Sequence, residues 1–204
     1  MKYVKRSPQT DRELSALLVA EGWNKIKEPS SFIHSLLLSI PFMAVNGIIT
    51  YLFIGPFYNP FIQVIQLIES SSISFAINIY TLEYLMGIYV MIVIHEFIHA
   101  VCIPHFLRSN ETYWGLKIYG GFVCTTQKLT KGNYILISIT PFLILSVIVP
   151  LIIGVLGIKS EFLFFLFFLN AIASSIDILN MVLILFQTPQ KSIIINNGFE
   201  TYYH

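Results

Sequence analysis

Apolar and polar positions along the chain separate into four long apolar stretches, 32–55, 77–101, 134–157 and 161–187, divided by shorter polar or mixed segments. Each is long enough to cross a hydrocarbon core about 30 Å thick, which takes roughly 20 helical residues. Pro41 and Asn46 in the first stretch and Pro141 and Pro150 in the third are compatible with spanning helices, because neighbouring helices satisfy the carbonyls that proline leaves free. Residues 56–70 (PFYNPFIQVIQLIES) are apolar but short, and read as an interfacial or re-entrant piece. Residues 112–128 (TYWGLKIYGGFVCTTQK) are rich in aromatic and β-branched side chains around Gly120-Gly121, and predict a β-hairpin with a glycine turn. The first 31 residues are polar and lack the apolar core of a cleaved signal peptide, so the first apolar stretch is expected to stay as an anchor. The expected fold is an all-α membrane protein of four transmembrane helices with a short cytoplasmic-side β-hairpin. Its expected parts are a cytoplasmic segment 1–31, a membrane domain 32–187 and a cytoplasmic tail 188–204.

Composition agrees with that pattern. Charged residues are 11% of the 204, against about a quarter in an ordinary soluble domain, and the mean hydropathy is +0.74. A net charge of +1 provides no basic field for nucleic acid. Cys102 and Cys124 form neither a CxxC pair nor a disulfide framework. Charge also orients the chain. Six of its twelve Lys and Arg precede the first stretch and four lie between the second and third, which by the positive-inside rule predicts both termini and the hairpin in the cytoplasm of a cell-membrane protein.

The second stretch ends in MIVIHEFIHAVCIP, and His95-Glu96-Phe97-Ile98-His99 is an HExxH on a predicted helix. Side chains at i and i+4 share a helix face, so both imidazoles can reach one tetrahedral zinc ion while Glu96 stands beside it to act on water. Ionisable groups at lipid depth are costly unless something binds them, which favours a metal site over a structural polar cluster. A catalytic zinc site needs a third protein ligand and one open position. Asp177, one of only two aspartates, lies inside the fourth stretch. At about 1.5 Å per residue its depth from the outer end is roughly 24 Å, against roughly 27 and 33 Å for His95 and His99. His105 is the rival third ligand. It follows His95 at the spacing of the third histidine in soluble metzincins, although Cys102 stands where that pattern has glycine. Asn170, Ser174 and Asp177 form one polar stripe at i, i+4 and i+7. Asn170 is about 10.5 Å along the axis from Asp177, a placement that suits holding substrate backbone.

The segments EGWNKIKEP, HEFIHA, GGFVCTTQKLTKGNYILISITPF and NAIASSIDILN resemble a bacterial family of membrane zincin peptidases, a domain family of unassigned function grouped with the site-2 intramembrane proteases. The resemblance implies zinc held by His95, His99 and Asp177, Glu96 as catalytic acid and base, and hydrolysis of a membrane protein or peptide at or within the lipid bilayer. In site-2 proteases the third ligand is followed by glycine, where this chain has Ile178. A non-catalytic membrane protein with a structural or sensing metal site is the alternative class, and Glu96 separates the two, since a purely structural site needs no unligated carboxylate. The charge distribution makes a topological prediction: reporters fused after residue 125 and at the C-terminus will report cytoplasm, and one at residue 66 the opposite side.

Overall fold

The structure is a computed structural model and describes residues 1–5, 9–58, 79–117 and 120–204. A short helix α1 (Arg12–Ala20) starts at Asp11, whose carboxylate accepts from the amides of Glu13 and Leu14. Among the described residues four longer helical runs follow, each long and apolar enough to cross a membrane. The first is α2 (Phe32–Ile54), capped by Ser31, and the second is α3 (Ile79–Cys102). The third joins α4 (Lys131–Leu143), a π-helical turn (Ile144–Ile148) and α5 (Val149–Val155). The fourth joins α6 (Glu161–Ala173) and α7 (Ser175–Gln187). Helix α2 runs through Pro41 and α4 through Pro141, as the composition of a packed bundle allows. Segment 56–70 falls, from residue 59 onward, outside the described residues.

The helices are apolar outside and partly polar inside, the reverse of a water-soluble bundle. Phe32, Ile33, Leu37, Ile48 and Leu52 of α2 are exposed, as are Leu85, Met86 and Phe97 of α3, whereas Ser39, Asn46, Ser146, Asn170, Ser174 and Ser175 are buried. Ile54, Met91, Leu145, Phe164, Leu166 and Phe167 make the apolar core among them. Buried among apolar neighbours, polar side chains find partners only within the protein. Accordingly Asn46 Nδ2 donates to Ala171 O at 3.0 Å and Ser175 Oγ to Ser39 Oγ at 3.2 Å. These contacts brace α2 against the break at Ser174, where α6 ends and α7 begins.

The expectation of an all-α fold needs correction, because among the described residues seven short strands build two sheets at one end of the bundle. One sheet has the order β1 (Lys2–Tyr3), β3 (Thr112–Lys117), β4 (Gly120–Thr125). The predicted hairpin is β3–β4, but Gly120 and Gly121 lie in the second strand, opposite Lys117 and Leu116, rather than at the turn. The other sheet has the order β2 (Asn24–Lys25), β7 (Glu200–Tyr203), β6 (Ile193–Asn197), β5 (Leu129–Thr130), so it draws on both ends of the chain. Its β6–β7 hairpin turns at Gly198, with φ +64° and a Cβ position only 2.4 Å from Thr10 N. No side chain fits there without displacement. Asn197-Gly198 between IIIN and ETYY is a hairpin signal that was legible in the sequence.

Lys131 locks the two ends of the later helices together. It is 7% exposed, and its Nζ donates to Leu185 O at 2.8 Å and to Thr188 O at 2.6 Å, carbonyls at the C-terminus of α7 that lack helical partners. An ammonium is favoured at that negative dipole end. Lys131→Met keeps the aliphatic stem and removes both charged donors; it should destabilise the protein by about 2–3 kcal/mol, read as a lower midpoint in denaturant titration in detergent.

Candidate metal centre

The last two turns of α3 carry His95 and His99 one turn apart, with ring centroids 4.8 Å from one another. Opposite them Asp177 stands in the first turn of α7, where the positive end of the helix dipole favours a carboxylate. Only the break at Ser174 gives Asp177 a helix N-terminus. His95 Nε2 lies 3.2 Å from Asp177 Oδ2 and His99 Nε2 3.6 Å from Asp177 Oδ1. One donor atom from each of the three residues falls within 4.8 Å of the others. His105, by contrast, is an exposed residue of the turn after α3, with φ 53°, and does not belong to this group.

The protonation of both rings follows from acceptors that have no choice. Ser146 Oγ donates to Phe167 O at 3.0 Å, so its lone pair receives Asn170 Nδ2 at 2.8 Å. That fixes the amide with Oδ1 towards His95 Nδ1, at 2.9 Å, and the ring must donate there. His99 Nδ1 is 2.8 Å from Ile137 O, a carbonyl that can only accept, so this ring donates from Nδ1 as well. Neutral imidazoles held in this way turn their Nε2 lone pairs towards Asp177. Two lone pairs and a carboxylate facing one another require positive charge between them, either added protons or a bound cation. Nitrogen and oxygen ligands at about 2.0–2.2 Å from zinc in a tetrahedron stand roughly 3.3 Å apart, close to the two imidazole–carboxylate separations, each to a different Asp177 oxygen. The donor set fits zinc.

Glu96, the residue after His95, is held by β4: its Oε2 accepts from the Val123 amide at 2.9 Å. It lines two cavities that meet at the cluster. A polar one of about 250 Å³ is bounded by Glu96, His99, Val123, Tyr134, Ser138, Asp177, Asn180 and Asn196. An apolar one of about 460 Å³ is bounded by Ile88, Met91, Ile92, Leu169, Ala173 and Ile176 beside His95, Glu96, Asn170 and Asp177. Asn170, expected from its spacing to hold substrate backbone, is 4% exposed and has both ends of its amide engaged inside the protein. Tyr134, Asn180 and Asn196 were not singled out from the sequence. Asn180 sits one helical turn beyond Asp177 and could have been found by that spacing; Asn196 reaches the cavity only through the β6–β7 hairpin.

The family described as "Putative zincin peptidase" matches residues 88–193, just over half of the chain. The chain belongs to this family. Membership supports a metallopeptidase and, with it, zinc as the metal for this cluster. The matched range runs from about two helical turns before HExxH, through β3, β4 and Asp177, to the first residue of β6. No curated protein and no solved structure matches the chain.

Cys124 follows Val123 on β4 and shares the polar cavity. Burial, and then the charge of Glu96, push its thiol up to about 11 from the usual 9.0, so the thiolate is scarce at neutral pH. At pH 8 Cys124 should alkylate about a hundredfold more slowly than a free thiol, measured by mass spectrometry after iodoacetamide. Glu96→Gln should recover only part of that rate, because burial is the larger cause.

Proposed function

We propose that this chain is a multi-pass membrane zinc metallopeptidase that hydrolyses peptide bonds of membrane-associated proteins or peptides at or within the bilayer. The observation that carries the reading is the convergence of His95, His99 and Asp177 on one point, with the carboxylate of Glu96 beside it at the junction of the two cavities. In this reading the three converging residues are the ligands and Glu96 is the catalytic acid and base. Zinc held there would polarise the scissile carbonyl and bring the pKa of bound water towards about 7.

The chain's own residues supply the rest. Glu96 accepts a proton from the attacking water and passes it to the leaving amine nitrogen, while the Val123 amide keeps its carboxylate on the cavity side of α3. Asn170 and Ile137 O hold the two imidazoles in the orientation the ligands need. Strand β4 pairs with β3 along one edge and turns the other towards Glu96, which gives an extended peptide a partner strand next to the reacting groups. An apolar side chain of such a peptide fits the cavity between α3 and the fourth helical run, and this supports substrates drawn from hydrophobic sequence.

Metal analysis and a cleavage assay on the detergent-purified protein test the reading together. The wild type should bind about one zinc per chain. Glu96→Gln should keep that zinc and lower hydrolysis about 10²–10⁴-fold. Asp177→Ala should lose the metal, and His105→Ala should retain it. Zinc that survives Asp177→Ala but not His105→Ala would reverse the ligand assignment, and full activity in Glu96→Gln would remove Glu96 from catalysis.

A further inference from the structure

The acceptor for His99 is a backbone carbonyl in the middle of a helix, and such carbonyls ordinarily accept from the amide four residues later. For Ile137 that residue is Pro141, which has no N–H. The pyrrolidine ring also crowds the carbonyl four residues before it and pushes it off the helix axis. Pro141 is buried, so its position is set by packing rather than by solvent. Both effects bear on one oxygen, and that oxygen is 2.8 Å from His99 Nδ1.

We propose that Pro141 is a positioning residue for His99. By withholding an amide from Ile137 O it reserves this carbonyl for the Nδ1–H of the ring, which leaves Nε2 as the nitrogen that faces Asp177. The histidine one turn earlier is held by a side chain, Asn170, anchored on Ser146 of the π-helical turn. His99 has no such side chain on the facing helix, and a missing backbone hydrogen bond does the same work. This inference rests on the reading of His99 as a metal ligand.

Pro141→Ala restores an amide at position 141 and relaxes the crowding, so the helix gains a bond while His99 loses sole use of its acceptor. The expected result is a zinc dissociation constant raised about 10–100-fold in competition with a fluorescent chelator, with the melting temperature of the metal-free protein equal to or above that of the wild type. A structural lesion would lower both affinity and melting temperature. Pro41→Ala is the control: it also restores a helical amide, in α2, at an exposed position whose carbonyl four residues earlier, Leu37 O, serves no histidine, and should leave zinc affinity unchanged. Nitrogen-15 NMR of histidine-labelled, zinc-loaded wild type supplies a readout that needs no variant, with His99 expected to carry zinc on Nε2 and hydrogen on Nδ1.

Unchanged affinity in Pro141→Ala, an equal loss in Pro41→Ala, a loss of affinity joined to a lower melting temperature, or zinc on Nδ1 of His99 would each overturn the inference. If Pro141→Ala does not fold, the His99 nitrogen assignment decides alone. A wild type that takes up no zinc would sink the metal-centre reading and this inference with it, whereas a zinc-binding wild type with an indifferent Pro141→Ala would sink this inference only.

Discussion

Charge without a partner is too costly to keep in an apolar bundle, and Asp177 is where this molecule meets that constraint. Its carboxylate faces two imidazole nitrogens, and each imidazole is in turn held at its other nitrogen by an acceptor rooted in a different helix. The surrounding helices serve this arrangement in separable ways. Helix α2 braces the break at Ser174 through Asn46 and Ser39, which gives Asp177 a helix N-terminus. The third helical run supplies both outer anchors, Ile137 O directly and Ser146 through Asn170. Two of its irregularities, Pro141 inside a helix and the π-helical turn, lie at or just beside those anchors.

The part of the site that was legible in the sequence consists of side chains whose spacing alone fixes their meeting. HExxH puts two rings on one face, and a rise of about 1.5 Å per residue carried over two helices running the same way was enough to bring Asp177 to their depth. His105 drops out of the cluster for a reason no spacing states: α3 ends at Cys102 and the chain turns away, with His105 itself at positive φ. The break at Ser174 was hidden because it has no glycine or proline; Ser174 Oγ bonds back to Asn170 O, a local contact that any helical serine can make. The role of Ile137 was hidden more deeply, since a carbonyl belongs to every residue and only the neighbour at 141 distinguishes it.

Outside the membrane-length helices the signals in the sequence are of unequal strength. Strands of two residues, such as β1, β2 and β5, have no period to detect and exist because a longer neighbour offers an edge. The β6–β7 hairpin is different, for Asn197-Gly198 marked it plainly. Its position matters for the site, because Asn196 belongs to the wall of the polar cavity and Ile194 packs with Ile26 and Ile184 beneath it.

The pairing of Asn24 with Tyr203 has a consequence for how the molecule is made. The four membrane-length helices of the described residues lie between those two residues in the chain, so β2 waits as an unpaired strand until these helices have left the ribosome. Contacts of such sequence separation close last, after the entropy of the intervening chain has been reduced by helix packing. The histidines and Asp177 can therefore assemble within the bundle before Asn196 walls off the cavity beside them, and maturation of the site proceeds from the helical interior outward to the sheet.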